Sequence, residues 1–271
     1  MVKIPFTKMS GTGNDFIVID DITISHDMDW GVFASQYCPR RISVGADGVL
    51  VLQKSDSSDF IFRIFNADGS EAEMCGNGAR CAALFAFDHG LAGRTMSFST
   101  MAGVVSAKVD TQGVSIQMTD ASILEKDVEI DLVTGKTRVH FINTGVPHTV
   151  YYTDHLPSLQ INELGRSIRH HPRFAPAGTN VDFVQVENSH HIRVRTYERG
   201  VEAETLACGT GAVASALMST HLGKIPGPPV HITMPGGTLT IDFNMREGVY
   251  HNVWLSGPVT TVYTGEILVN Q

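Results

Sequence analysis

The sequence predicts an α/β (α+β) protein built from two similar, duplicated lobes, each a mixed β-sheet or barrel wrapped around a central helix, with the active site in the cleft between them. Three observations lead there: an internal repeat, β-rich runs punctuated by turn residues, and two helices apolar on nearly every side. EAEMCGNGA around Cys75 falls on EAETLACGTGA around Cys208, an offset of 133 residues. At the same offset of 133, VGADGVLVLQ with Gly45 falls on AGTNVDFVQV with Gly178, and STMAG with Met101 falls on ITMPGG with Met234. SGTGND with Gly13 falls on NTGVPH with Gly145 at 132. Four stretches matched in order describe two copies of one half.

In the first half, FIVID, VLVLQ, FIFRIF, SFST, VVSAKV and VSIQM are β-rich runs bounded by Gly, Asp and Ser, and each predicts a strand. Between the first two, Trp30, Phe33, Ala34, Tyr37 and Cys38 recur at helical spacing and predict an amphipathic helix. Its counterpart runs from Leu159 to Ile168, with Ile161, Leu164 and Ile168 on one face. The second helix of each half is different: ARCAALFAF from Ala79 to Phe87, and AVASALMSTHL from Ala212 to Leu222, are apolar nearly all round. Such a helix is buried on every side, which a sheet wrapped about it achieves. The lobes are expected at residues 1–120, joined by a C-terminal strand at about 260–271, and at residues 121–259.

Composition narrows the function. The chain has 271 residues, 42% hydrophobic and 18% charged, a globular balance rather than a disordered one. Its net charge of −8 argues against a nucleic-acid or anionic-membrane partner. No apolar run approaches the ~18 residues of a membrane span, and MVKIPFTKMS has no apolar signal-peptide core. The four cysteines, Cys38, Cys75, Cys81 and Cys208, form no Cys-x-x-Cys pair. Neither a disulfide scaffold nor structural zinc is indicated, and a cytoplasmic protein with free thiols is expected. The paired histidines, His170–His171 and His190–His191, point in different directions and make poor chelates, so no metal site is expected. GTGNDF lacks the third glycine of a dinucleotide fingerprint and no P-loop is present, so no cofactor is expected either.

The chemistry concentrates at the two buried helices, which open with Cys75-Gly-Asn-Gly and Cys208-Gly-Thr-Gly. A cysteine at a helix N-terminus meets unpaired N–H groups and the positive end of the helix dipole, which favours thiolate over thiol. The N–H groups of Gly76 and Asn77, and of Gly209 and Thr210, are placed to hold a carboxylate. Cys38 and Cys81 lack this glycine context and read as packing residues. Two such cysteines facing one another suit inversion of a stereocentre: one sulfur takes the α-proton while the opposite thiol delivers another. Two thiols at short range do not both ionise, so the pair is expected to share about one proton.

At these residues the sequence resembles the diaminopimelate epimerases, the pyridoxal-independent amino-acid epimerases of lysine and peptidoglycan precursor synthesis. The likeness runs through KMSGTGNDF (8–16), FNADGS (65–70), MCGNGAR (74–80), Pro147-His148, YERG (197–200) and ACGTG (207–211). It implies two similar lobes, a homodimer, and interconversion of LL- and meso-diaminopimelate without metal or cofactor. It also implies that the C-terminal VTTVYTGEIL returns to pair with the first lobe. Cys75 and Cys208 match the family's two catalytic bases. Gly76, Asn77, Gly209 and Thr210 match the groups around the reacting carboxylate, with Thr210 where many members carry serine. Asn14, Asn66, Asn180, Glu198 and Arg199 match substrate-binding positions, and Arg199 suits bidentate binding of the distal carboxylate. His148 and Glu198 match groups that tune the cysteines.

Two positions depart from the pattern. Val146 stands where many members carry asparagine, and Gly48 where many carry glutamine. Each lost polar contact weakens distal recognition by ~1–3 kcal/mol if its partner stays buried and unpaired. The nearest rival, a proline racemase or hydroxyproline epimerase, typically shows histidine where this chain has Asn77. An isomerase of the same fold lacking the cysteines is excluded by Cys75 and Cys208. A redox-sensing protein in which these two thiols form a regulatory disulfide is a reading of a different class.

Overall fold

A computed structural model describes residues 2–111, 113–133, 135–246 and 248–269, apart from the side chains of residues 122–124. The chain divides into two compact units, one of Met1–Ile116 with Gly257–Gln271, the other of Gln117–Ser256. Among the described residues no helix is long and apolar enough to cross a membrane.

The first unit contains β1 (Val2–Gly11), β2 (Asn14–Asp21), α1 (Trp30–Tyr37), β3 (Gly48–Gln53), β4 (Phe60–Asn66), β5 (Glu71–Ala72), α2 (Gly76–Asp88), β6 (Thr95–Thr100), β7 (Gly103–Asp110) and β8 (Gly113–Gln117). The second contains β9 (Ser122–Leu132), β10 (Gly135–Asn143), β11 (Pro147–Tyr152), α3 (Ile161–Arg169), β12 (Asn180–Asn188), β13 (His191–Glu198), β14 (Ala203–Thr205), α4 (Gly209–His221), β15 (Val230–Met234), β16 (Gly237–Arg246) and β17 (Val249–Gly257). The last strand, β18 (Val259–Val269), pairs antiparallel with β1, with Val2 opposite Val269.

The duplication is plain in the strand order. In the first unit β18 pairs with β1, β1 with β2, β2 runs parallel to β3, β3 pairs with β4, and β4 runs parallel to β6, followed by β7 and β8. In the second unit β9, β10, β11, β12, β13, β15, β16 and β17 repeat that order with the same two parallel steps. The C-terminal β18 thus takes in the first unit the place that β9 holds in the second. Strands β1, β5 and β9 to β17 lie outside the runs read from the sequence, which covered only the first half.

Each sheet curls around its own helix. Around α2 stand β1, β2, β3, β4, β7 and β18, and around α4 stand β10, β11, β12, β13, β15 and β16. Asn77 to Ala83 are all buried on α2, as are Gly211 to Ser219 on α4. Both helices begin three residues before the apolar runs that predict them, because Cys75 and Cys208 serve as N-caps and the glycines form the first turn. Helix α1 covers the opposite face of its sheet: Trp30, Phe33, Ala34 and Cys38 pack with Ile17, Ile19, Val49 and Val51. Strand β3 is therefore buried on both faces, which explains its unbroken apolar run. In the second unit Ile161 and Ile168 of α3 pack in the same way with Val181 and Phe183 of β12.

The register of the repeat shifts by one residue between the loops and the strands. Gly48 lies opposite Asn66, and Asn180 follows the same antiparallel register toward Glu198, while Phe16 pairs with Gly48 as His148 pairs with Asn180. Strands β2, β3 and β4 therefore match β11, β12 and β13 at 132 rather than 133. A one-residue slip turns every side chain to the other face. Asp182 accordingly corresponds to Leu50, whose Cδ2 lies 3.1 Å from the position of a Cβ on Gly78. At the matching Gly211 of α4, a Cβ would stand 2.3 Å from Asp182 Oδ1. The face that is apolar against α2 carries a carboxylate against α4.

Candidate active site

In the first unit, Cys75 is half-buried at the start of α2, and its Sγ accepts a hydrogen bond from the Gly78 N–H at 3.5 Å. The cap leaves Gly76 and Asn77 in the first turn, with Asn77 buried. Asn14, at the start of β2, donates from Nδ2 to Asp47 Oδ2 at 3.0 Å, and its Oδ1 accepts from Asn77 Nδ2 at 2.7 Å. Asn77 Oδ1 in turn accepts from Arg80 Nη2 at 2.8 Å. Asn14 and Asn77 are thus brought together. Asn66 is not joined to them: it is exposed, and its Nδ2 donates to Ser70 Oγ at 3.0 Å within its own turn.

In the second unit Cys208 is buried and caps α4. Its Sγ lies 3.4 Å from Thr210 Oγ1. Behind α4, His148 Nδ1 and Asp182 Oδ2 are 2.7 Å apart with both side chains fully buried, and Thr196 Oγ1 donates to Asp182 Oδ1 at 2.8 Å. Asn180 Oδ1 accepts the Arg199 backbone N–H at 2.8 Å, so its Nδ2 is the group facing Pro147 O at 3.1 Å and His148 Nε2 at 3.5 Å. This arrangement assigns the His148 proton to Nδ1, toward the carboxylate, and leaves Nε2 as an acceptor. The Arg199 guanidinium forms no ion pair among the described residues, which leaves its planar fork open to a carboxylate.

The electrostatics differ between the two cysteines. Burial pushes the Cys208 thiol well above its ordinary value, and the charges of Glu198 and Asp182 push it the same way. Burial also raises the Glu198 carboxyl, with Asp182 adding to the shift and His148 opposing it. At Cys208, desolvation and two neighbouring carboxylates thus oppose the preference for thiolate that a helix N-terminus confers. Cys38 and Cys81 are buried packing residues, with thiols pushed up by burial to about 11 and about 12.

Sequence reasoning missed three residues here. Asp182 sits inside an apolar strand, and the residue-for-residue alignment at 133 set it beside Val49 on the wrong face. Arg80 is the one charge within the otherwise apolar run Ala79–Phe87, and that contrast is its signal. Thr12, which accepts from Arg80 Nη2 at 2.7 Å, carried none. Of the two departures, Gly48 has a structural reason: a Cβ there would stand 2.5 Å from the Phe65 carbonyl oxygen of β4. Val146 lies in the turn before β11, where its carbonyl accepts the Thr144 N–H at 3.1 Å.

Two duplicated units, each a sheet curled around a buried central helix, define a fold class that solved structures share. A probable proline racemase from Agrobacterium radiobacter superposes with a TM-score of 0.71 at 17% identity, covering 98% of this chain and 93% of that one. A phenazine biosynthesis protein of the PhzF family from Bacillus anthracis gives 0.73 at 14% identity, covering 99% and 100%. At such identities the likeness is one of fold. The diaminopimelate epimerase family model matches residues 6–124 and 140–262. The diaminopimelate epimerase of Aquifex aeolicus is 43% identical, with 97% of each chain covered, and that of Methanocella arvoryzae is 41% identical, covering 100% of this chain and 99% of the other. The chain belongs to the diaminopimelate epimerase family.

Proposed function

We propose that this protein interconverts LL- and meso-diaminopimelate by a two-base mechanism in which Cys75 and Cys208 address opposite faces of the α-carbon. The observation that carries the reading is the pair of matched caps: each cysteine opens a buried helix whose next residues present backbone N–H groups. One sulfur, as thiolate, removes the α-proton and becomes a thiol. The electron pair left on carbon delocalises into the adjacent carboxylate, which the N–H groups of Gly76, Asn77, Gly209 and Thr210 stabilise. The opposite thiol then protonates the other face and becomes the thiolate, so the enzyme ends with its single proton deficit moved from one sulfur to the other.

Asn14, Asn180, Glu198 and Arg199 are assigned to substrate binding, with Arg199 on the distal carboxylate, and Asn66 joins them through its exposed amide. His148 and Glu198 are assigned to tuning Cys208, His148 acting through its contact with Asp182. Family membership supports a cytoplasmic homodimer supplying lysine and peptidoglycan precursors, with no metal or cofactor, nucleic acid or membrane partner.

The test is proton NMR of LL-diaminopimelate with reduced protein in D₂O, with proline in parallel. Loss of the α-proton signal with growth of the meso form is expected, and Cys75→Ala and Cys208→Ala should each abolish it. Exchange into proline alone would move the chain to the racemase branch. Near-wild-type turnover by either variant would refute the two-base assignment.

A further inference from the structure

The duplicated cores carry opposite buried charges. In the first unit Arg80 is fully buried on α2. The residue 133 positions on, in the same place on α4, is Val213. In the second unit the buried charge is Asp182, and its counterpart in the first unit is Leu50. Against its central helix the Cys75 unit thus carries a fully buried cation and the Cys208 unit, at a different position, a fully buried anion, while Lys8 and Asp21, also buried in the first unit, are bonded to Asp15 and His26.

Arg80 has no carboxylate partner among the described residues. Nη2 donates to Thr12 Oγ1 at 2.7 Å and to Asn77 Oδ1 at 2.8 Å, and Nη1 to Gly76 O at 3.3 Å, while Nε is buried without a partner. A buried guanidinium without a counter-ion is costly and draws an anion where one can form. The groups whose charge reaches it are the thiols of Cys81 and Cys75. Cys81 is fully buried and stays protonated, because desolvation lifts it to about 12. The charged side chains on the strands around α2 are bonded elsewhere or exposed: Lys8 with Asp15, Arg63 with Glu71, Lys3 with Glu266, Asp21 with His26 and Gln53, Asp20 with the Ile22 and Thr23 N–H groups, while Lys108 and Asp110 are exposed. Cys75, half-buried and already capped by a backbone N–H, is the group left to carry the negative charge.

The same guanidinium sets a direction. Arg80 donates to Asn77, Asn77 to Asn14, and Asn14 to Asp47, so every donor in the chain points away from Arg80. An Asn side chain flips readily between its two amide orientations unless a neighbour decides. A pure donor at one end and a carboxylate at the other decide both.

We propose that Arg80 is a positioning residue of the Cys75 half-site: its buried cation makes Cys75 the resting thiolate, and its fork fixes the amides of Asn77 and Asn14 toward the ligand. This rests on the epimerase reading only for the purpose served. Arg80 touches no reacting atom and acts through Cys75 and the two asparagines.

The experiment is alkylation of the wild-type protein by iodoacetamide as a function of pH, with each cysteine followed separately by peptide mass spectrometry. The wild-type Cys75 midpoint is expected below that of a free thiol, about 8.5, and below that of Cys208. A Cys75 midpoint at or above the free-thiol value overturns the proposal without any variant. In Arg80→Met the midpoint should rise by about one pH unit, a roughly tenfold loss of thiolate at neutral pH. Arg80→Lys keeps the charge and loses the fork, so its midpoint should stay near wild type while KM for diaminopimelate rises more than kcat falls. An unmoved midpoint in Arg80→Met, or an equal shift in both variants, also overturns it. Because alkylation needs no substrate, a failure of the epimerase reading shows separately, as wild-type protein with the expected thiol profile and no exchange of diaminopimelate.

Discussion

Asp182→Ala is the most informative substitution in the second unit. Asp182 accepts from His148 Nδ1 at 2.7 Å and from Thr196 Oγ1 at 2.8 Å, and all three side chains are fully buried. Alanine removes both acceptors and leaves two donors with no access to water. Orphaning a buried donor costs about 1–3 kcal/mol, and here two are orphaned together. A loss of about 3–5 kcal/mol is expected, which for a chain of this size lowers the melting midpoint by roughly 6–20 °C. Asp182→Asn keeps the volume and an acceptor for His148, exchanging a charge-assisted bond for a neutral one, and should cost about 1–2 kcal/mol. Calorimetric unfolding of the three proteins at neutral pH is the assay. Removing the charge also lifts one of the influences that hold the Cys208 thiol up, so Cys208 alkylation in Asp182→Asn should begin at lower pH than in wild type. An alanine variant within about 1 kcal/mol of wild type would show that the dyad is solvated or dispensable, and would refute the reasoning.

Three further outcomes follow from the same geometry. The thiols of Cys38, Cys81 and Cys208 are raised in the folded protein, so it keeps protons that the unfolded chain releases above about pH 8.5. Stability must therefore fall as pH rises past that point, by up to about 1.4 kcal/mol per pH unit for each thiol, and urea midpoints that do not drop between pH 8 and 10 would contradict this. Gly211→Ala places a Cβ 2.3 Å from Asp182 Oδ1, so α4 must shift at its first turn; steady-state kinetics should show a fall in kcat of at least about tenfold, and unchanged turnover would count against the close approach. Gly165→Ala meets the Tyr197 side chain at 2.5 Å where α3 crosses β13, and overpacking there should destabilise by about 1–3 kcal/mol in urea titration while leaving thiol reactivity unchanged.

The duplication, the two buried helices and the two cysteines that open them are legible in the chain because each is written in local pattern. Apolar residues all round a helix, glycines after a cysteine, and one motif met twice need no long-range information. The same locality explains what was misread. Residue identity alone tolerates a slip of one position in the strand of Asp182, whereas the pairing of His148 with Asn180 does not. That Asp182 faces α4 while Val181 and Phe183 face α3 follows from strand pairing across the folded sheet.

Tertiary structure decided the charges as well. A cysteine at a helix N-terminus looks alike in both halves of the sequence, yet burial and the carboxylates of Glu198 and Asp182 push the Cys208 thiol well above its ordinary value. No carboxylate pairs with Arg80 behind Cys75 among the described residues. Residues far apart in the chain set those fields, and the distances that scale them, a few ångströms in a medium of low polarity, exist only once the sheet has closed around its helix.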